Sequence, residues 1–329
     1  MPSFRAAGFH LTMERAMTPR ILSAAAAAAF LLAPAALAAP AGWQPLMEPT
    51  DLAAVLESTP GVRVLRVTGE HAAGHIPGSL PTAYADWRGP QENPGQLRDI
   101  AHLTALVQSL GISAETPVAV IHEGANPTDM GAATRVYWTL KSLGVHDIAV
   151  LNGGFRAWAE AGLPVETGGA AVAASGWQPE WSGAWRVTTA EVERLVAEGS
   201  ARLIDARPRG FFEGTLWSIA RPGTIRGAQH LTHEDWFDGT RLKPAADLRA
   251  IAAERVPAAG APLTVSFCNT GHWASINWFM MSEVAGVPDT RMYAESMAEW
   301  TMADRPLDNA PTRLQIYWNQ TRDWVKGWL

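Results

Sequence analysis

An apolar run, Leu263-Thr264-Val265-Ser266-Phe267, delivers the chain's single cysteine, Cys268, into a short loop, Asn269-Thr270-Gly271-His272-Trp273. A helical stretch from Ala274 to Val284 follows, with Gly286 placed to stop it. Loop amides and the first turn of a helix favour an anion, and the same field favours thiolate, the nucleophilic form of cysteine. In open α/β sheets ligands gather at the carboxyl ends of strands, where this cysteine stands. The arrangement suits a sulfur relay. The thiolate takes a sulfane sulfur and keeps it as a persulfide, loop amides cradle the anionic terminal sulfur, and a thiophilic acceptor such as cyanide or a thiol removes it. The competing reading is a buried structural cysteine, a common place for a free thiol.

The elements that must hold this loop occur twice. A helical pattern at 51–56, an apolar strand at 62–67 and Gly74-His75-Ile76-Pro77-Gly78 are repeated as a helical stretch at 190–197, the strand Arg202-Leu203-Ile204-Asp205 and Gly223-Thr224-Ile225-Arg226-Gly227-Ala228. Pro117-Val118-Ala119-Val120-Ile121 matches the run that ends at Phe267, Trp138 matches Trp278, and Trp158 matches Trp300. Apolar strands alternating with amphipathic helices predict an α/β chain of two tandem domains, each a mostly parallel sheet flanked by helices. The expected domains cover 39–166 and 185–310. The Gly-, Ala- and Ser-rich stretch 167–184 joins them. A tail, 311–329, with apolar residues at Leu314, Ile316, Trp318, Trp324 and Trp328, reads as a closing helix.

A length of 329 residues fits two domains. A net charge of −6 without a Lys/Arg stripe argues against nucleic acid as a partner. Arg20, the apolar run 21–37 and Ala36-Leu37-Ala38 read as a secretory signal over 1–38, so the expected location is periplasmic or secreted, with no membrane attachment after cleavage. One cysteine allows no internal disulfide. The scattered His71, His75, His122 and His146 show no metal-ligand spacing, and neither metal nor cofactor is expected. The 15 tryptophans read as core.

Taken together, these segments resemble the tandem-domain rhodaneses, the thiosulfate and 3-mercaptopyruvate sulfurtransferases, over roughly residues 45–310. That family carries its active cysteine at the head of a six-residue loop in the second domain, the place of Cys268 to Trp273. Its Asp-x-Arg resembles Asp205-Ala206-Arg207. Its Gly-His-Ile-Pro-Gly-Ala box resembles Gly74 to Ser79 and, more loosely, Thr224 to Ala228. Its closing pattern resembles Leu151-Asn152-Gly153-Gly154 with Trp158, and again Tyr293-Ala294-Glu295-Ser296 with Trp300. The resemblance implies a first domain without catalysis that walls the cleft, a small sulfur donor, and a thiophilic acceptor that can be a small molecule or a protein.

The chain departs from that pattern at the loop. Thiosulfate-preferring members place Arg and Lys after the cysteine, where this chain has Asn269 and Thr270. They also place an Arg six residues after the strand-end Asp, where this chain has Phe211, with Arg209 two positions away. The small loop start of mercaptopyruvate enzymes is nearer to Cys268-Asn269-Thr270-Gly271, so the donor stays open among thiosulfate, mercaptopyruvate and a persulfide. Candidate substrate contacts are Asn269, Thr270, Gly271, His272, Trp273, Arg207 and Arg209, with Asp205 as structural support. For His272, proton donor or anion contact stands beside a single structural hydrogen bond. For Trp273 the choice is pocket wall or packing, and for Arg207 it is a substrate contact or a salt bridge with Asp205. A phosphatase on this fold needs Arg six residues after the cysteine to clamp phosphate, and Ala274 stands there. The remaining alternative is a persulfide carrier or sulfur-binding partner without turnover of its own.

Overall fold

The computed structural model describes residues 39–257 and 263–311. The expected signal (1–38) and the expected closing helix of the tail lie outside these residues. In the first half, Leu46–Met47 (β1), Arg63–Arg66 (β2), Leu80–Pro81 (β3), Val118–Ile121 (β4) and Ile148–Leu151 (β5) form a sheet of order β1-β5-β4-β2-β3, parallel throughout. The strands β4 and β5 are apolar and buried at every position, as a sheet covered on both faces requires. The covering helices are Pro49–Ser58 (α1), Ile100–Ser109 (α2), Met130–Leu143 (α3) and Gly154–Glu160 (α4). Pro49 opens α1, where a missing N–H costs nothing. Asp99 caps α2 by accepting from the amides of Ala101 and His102.

The second half repeats the plan. Thr189–Glu198 (α5) starts with a capping box between Thr188 and Glu191. It leads to Arg202–Asp205 (β6), Arg209–Phe212 (α6), Thr224–Ile225 (β7), Gln229–His230 (β8), the hairpin Phe237–Asp238 (β9) and Arg241–Leu242 (β10), and Ala245–Arg255 (α7). Then come Thr264–Phe267 (β11), His272–Phe279 (α8), Thr290–Met292 (β12), Ser296–Trp300 (α9) and Leu307–Asp308 (β13), which pairs with β7. The main sheet has the order β12-β11-β6-β8, all parallel. That is the first sheet's β5-β4-β2-β3. A parallel bridge from Arg186 to Met292 stands where β1 pairs with β5.

The duplication extends to single hydrogen bonds. Trp158 Nε1 donates to the carbonyl of Pro164 at 2.8 Å, and Trp300 Nε1 donates to that of Pro306 at 3.1 Å. Both indoles are buried, and each locks the helix it stands on to the chain that leaves it. The helix after the cysteine starts at His272, two residues earlier than its apolar pattern predicts. It widens into a π turn over Met280–Val284 before Gly286.

The halves meet along α3 and α8. Thr134 and Ser275 share a hydrogen bond at 2.8 Å, and Tyr137 Oη and Lys141 Nζ both donate to Glu283 at 2.8 Å. Trp138 and Trp278 are fully buried in the same core. The stretch from 167 to 182 carries no regular element but is fastened to the first half. Gln108 Nε2 donates to the Trp177 carbonyl at 2.7 Å, and Trp181 stands edge-on to Trp138 at 5.4 Å.

Candidate active site

Strand β11 is buried at all four positions, so Cys268, the next residue, emerges from the middle of the sheet with 1% of its surface exposed. Its peptide is held from the start of α9. The Cys268 amide donates to Ser296 Oγ at 3.1 Å, the Met297 amide donates to the Cys268 carbonyl at 3.0 Å, and the Ala298 amide donates to the Asn269 carbonyl at 2.8 Å. Ser296 is itself held at φ +55°, an uncommon conformation for a residue with a side chain. The amides of Asn269, Thr270, Gly271, His272 and Trp273 donate to no protein group among the described residues. They follow Cys268 and precede or open α8, at the positive end of that helix.

Gly271 makes the loop possible. Its φ is +73°, and a Cβ there would lie 2.2 Å from Arg135 Nη1 and 2.5 Å from the Ala294 carbonyl oxygen. Asn269 is held on both sides: its Oδ1 accepts from Arg207 Nη1 at 3.1 Å, and its Nδ2 donates to Ser218 Oγ at 3.2 Å. A pocket of about 330 Å³ opens onto Cys268. Its walls are Asn269, Thr270, His272 and Trp273 from the loop, Ser218 and Ile219 from the second half, and Tyr84 and Arg88 from the first. A roomier groove of about 510 Å³, lined by Glu48, Arg241 and Glu283 among others, lies away from the only cysteine.

Of the expected substrate contacts, four line the pocket, and Gly271 turns the loop between them. The two arginines do not take part. Arg207 is 1% exposed and turned inward. Its Nε and Nη2 grip the Asp205 carboxylate at 2.6–3.1 Å, Nη2 also donates to the Gly223 carbonyl at 2.7 Å, and Nη1 reaches Asn269. It serves the loop and does not line the pocket. Arg209 faces solvent on α6, 73% exposed and paired with Glu213. Asp205, fully buried, also accepts from the Arg207 amide at 3.0 Å and Thr224 Oγ1 at 2.7 Å, which is the organising place expected of it.

Both ring nitrogens of His272 are committed to protein partners. Nε2 lies 2.8 Å from the Thr128 carbonyl, which can only accept, so Nε2 carries the hydrogen. Nδ1 then accepts from Tyr84 Oη at 2.8 Å. Burial lowers the imidazole to about 3, with the nearby charge of Arg88 adding to the effect. The ring is a neutral rivet between the halves. Trp273 both packs and lines: it stacks on His233 at 5.0 Å between centroids, and its Nε1 donates to Thr128 Oγ1 at 3.3 Å. Burial also pushes the Tyr84 hydroxyl above its ordinary range.

These histidines predict an acid-labile interface. Burial lowers His233 to about 4. Both rings titrate near 6.5 when unfolded, so the unfolded chain binds more protons in acid and stability must fall as pH drops below 6.5. The loss continues to about pH 4 for His233 and about pH 3 for His272. Each ring contributes on the order of 1 kcal/mol per pH unit in that window. Thermal melts between pH 7 and pH 4.5 should show a steeper loss for the native protein than for His272→Gln. Equal slopes would refute the assignment.

Tyr84 and Arg88 carry no signal in the sequence. They sit in the stretch between β3 and α2, which has no helical or strand period, and they reach the loop only because the halves dock.

The first half shows the same loop in another state. Phe155 and Arg156 amides donate to the carbonyls of His122 and Glu123 at 2.8 and 3.0 Å, as Met297 and Ala298 do for Cys268 and Asn269. His122 therefore stands at the place of the cysteine. The following amides, Gly124 and Ala125, donate to Asp129 Oδ2 at 2.7 and 3.3 Å. Burial alone would raise the Asp129 carboxyl, but His122, Thr68 and the Gly124 amide outweigh it and hold the carboxyl well below its usual range. At the strand end Arg66 replaces Asp205 and pairs with Glu123.

Comparison with known proteins agrees with this duplication. The model of the rhodanese-like domain matches residues 62–161 and again 188–303. A provisionally named thiosulfate sulfurtransferase of Synechococcus elongatus is 31% identical over 252 residues, covering 73% of this chain and 77% of that protein. The 3-mercaptopyruvate sulfurtransferase of Escherichia coli K12 is 27% identical over 261 residues, covering 76% and 89%. Among solved structures, an Escherichia coli protein of the 3-mercaptopyruvate class superposes with a TM-score of 0.67 at 20% identity, over 77% of this chain and 98% of that one. The last of these likenesses speaks to the fold alone.

Proposed function

The chain belongs to the rhodanese family, with two rhodanese-like domains in tandem, and from that premise we propose that it moves a sulfane sulfur through a persulfide on Cys268. The observation that carries the reading is the chain's only cysteine lining a pocket, followed by five amides without protein partners among the described residues. In the first step the Cys268 thiolate attacks the outer sulfur of the donor. A sulfur–sulfur bond forms to Cys268, the donor's bond to that sulfur breaks, and the rest of the donor leaves with the electron pair. The persulfide is anionic, and the loop amides and the helix end favour its terminal sulfur. In the second step a thiophilic acceptor attacks that terminal sulfur and releases the Cys268 thiolate. A thiol already ionised needs no general base, and His272 is bound to partners on both sides.

A pocket of about 330 Å³ over a nearly buried thiol favours small donors, and thiosulfate, mercaptopyruvate and a small persulfide all qualify. Mass spectrometry after exposure to each donor should show one added sulfur on the peptide that contains Cys268. Many thiocyanate molecules per chain should then form once cyanide is supplied. No added sulfur with any donor overturns the reading. A single sulfur that is never turned over would instead make the protein a carrier.

A further inference from the structure

The loop after Cys268 has no cation of its own, yet two guanidinium groups from the other half reach it. Arg88 lines the pocket. Its Nη2 donates to the Thr270 carbonyl, its Nε donates to the Pro94 carbonyl at 3.0 Å, and its Cζ stands 5.2 Å from the centre of the Tyr84 ring. Arg135, on α3, is 1% exposed and presses on Gly271. Its Nη2 donates to the Gly95 carbonyl at 3.0 Å, while Nε and Nη1 have no hydrogen-bond partner among the described residues. Neither arginine forms an ion pair with a carboxylate among the described residues. Glu295 lies within electrostatic reach of Arg135; its Oε1 pairs with Arg186, and its Oε2 has no hydrogen-bond partner among the described residues.

A buried cation without a counter-ion is costly, and a second cation beside it makes the cost greater. Burial and the charge of Arg88 together hold the Arg135 guanidinium down to about 10, so it stays charged at neutral pH. The two groups repel each other, and both lie close enough to act on Tyr84. An anion beside Cys268 relieves that repulsion and adds negative charge where two cations face one nearby carboxylate.

We propose that Arg88, from the first domain, is the specificity residue of the pocket and binds the anionic group of the sulfur donor, its carboxylate or sulfur oxyanion. This assignment rests on the reading of Cys268 as the reacting group. It places the selection of the donor's charge in the half that lacks the nucleophile. The cations that the resemblance leads one to seek within the loop are replaced by one that arrives across the interface. Arg135 stands behind it and adds to the positive field without lining the pocket.

Alkylation tests the assignment without any sulfur chemistry. Iodoacetate and iodoacetamide are nearly the same size and differ by one negative charge, and with either the Cys268 thiolate displaces iodide. The native protein should favour iodoacetate over iodoacetamide more than a free cysteine thiol does in the same buffer. That preference should shrink as salt is added. In Arg88→Gln the ratio of the two rates should fall about tenfold, as expected for loss of a charge-assisted contact, and Arg88→Lys should keep most of it. If Arg88 only clamps Thr270, both reagents slow equally and the ratio stays put, which overturns the proposal. A native ratio no higher than that of free cysteine overturns it as well, whether or not the variants fold. A protein that shows the ratio but accepts no sulfur from any donor would keep the anion site and discard the transfer reaction.

Discussion

Replacing Cys268 with serine should abolish sulfur transfer, lowering turnover at least about a thousandfold, while the fold survives. A serine hydroxyl is a close match in size, and the three hydrogen bonds that hold residues 268 and 269 to the start of α9 involve only their backbone. The hydroxyl does not ionise in the working range and forms no stable bond to sulfur of the persulfide kind. The stability change should therefore stay within about 1 kcal/mol, as for a small-volume substitution that finds partners. Turnover with the best donor, thermal melting and mass spectrometry on the same preparation decide the matter. A folded variant that still turns over would place the nucleophile elsewhere, and the chain has no other thiol.

The second large effect belongs to a residue that is fully buried and does not line the pocket. Asp205→Ala should destabilise the protein by about 3–5 kcal/mol, because it leaves the Arg207 guanidinium buried without its carboxylate. Thr224 Oγ1 and the Arg207 amide lose an acceptor as well. Chemical denaturation should show the loss. Asp205→Leu combined with Arg207→Met should recover much of it, since an apolar pair of similar volume can replace a buried ion pair. Activity should stay low in that double variant, because Asn269 Oδ1 no longer meets Arg207 and the loop loses one of its two side-chain anchors. Stability restored together with full turnover would show that Asn269 needs no such anchor.

The cysteine loop, both sheets and the paired tryptophans were legible because each follows from local chemistry. Apolar runs bounded by Pro, Gly or a charge became β4, β6 and β11, and repeated spacing became a repeated sheet order. The pairing of Arg207 with Asp205 is one of the two readings their spacing allows, but its full set of partners is not legible. That set depends on Asp205, Gly223 and Asn269 converging from three segments, and no spacing within Asp205-Ala206-Arg207 encodes that. Arg209, only two residues on, falls on the solvent side of a single helical turn. For His272 the loop position leaves a substrate contact and a structural hydrogen bond equally open. Its partners, Tyr84 and Thr128, lie in the other half, and only docking of α3 on α8 brings them near. Arg88 and Arg135 were missed for the same reason: a cation that serves a loop from across an interface leaves no mark beside that loop.

Asp129 fills the first half's copy of the amide cradle, the half that has no thiol. The amides of Gly124 and Ala125 hold a carboxylate supplied by their own loop, whereas the matching amides of Thr270 and Gly271 donate to no described protein group. One copy of the cradle carries a tethered anion that cannot dissociate, and the other is available to an anion that comes and goes. On the proposed transfer through Cys268, a titration with sulfur donor should therefore reach its end point at one equivalent per polypeptide.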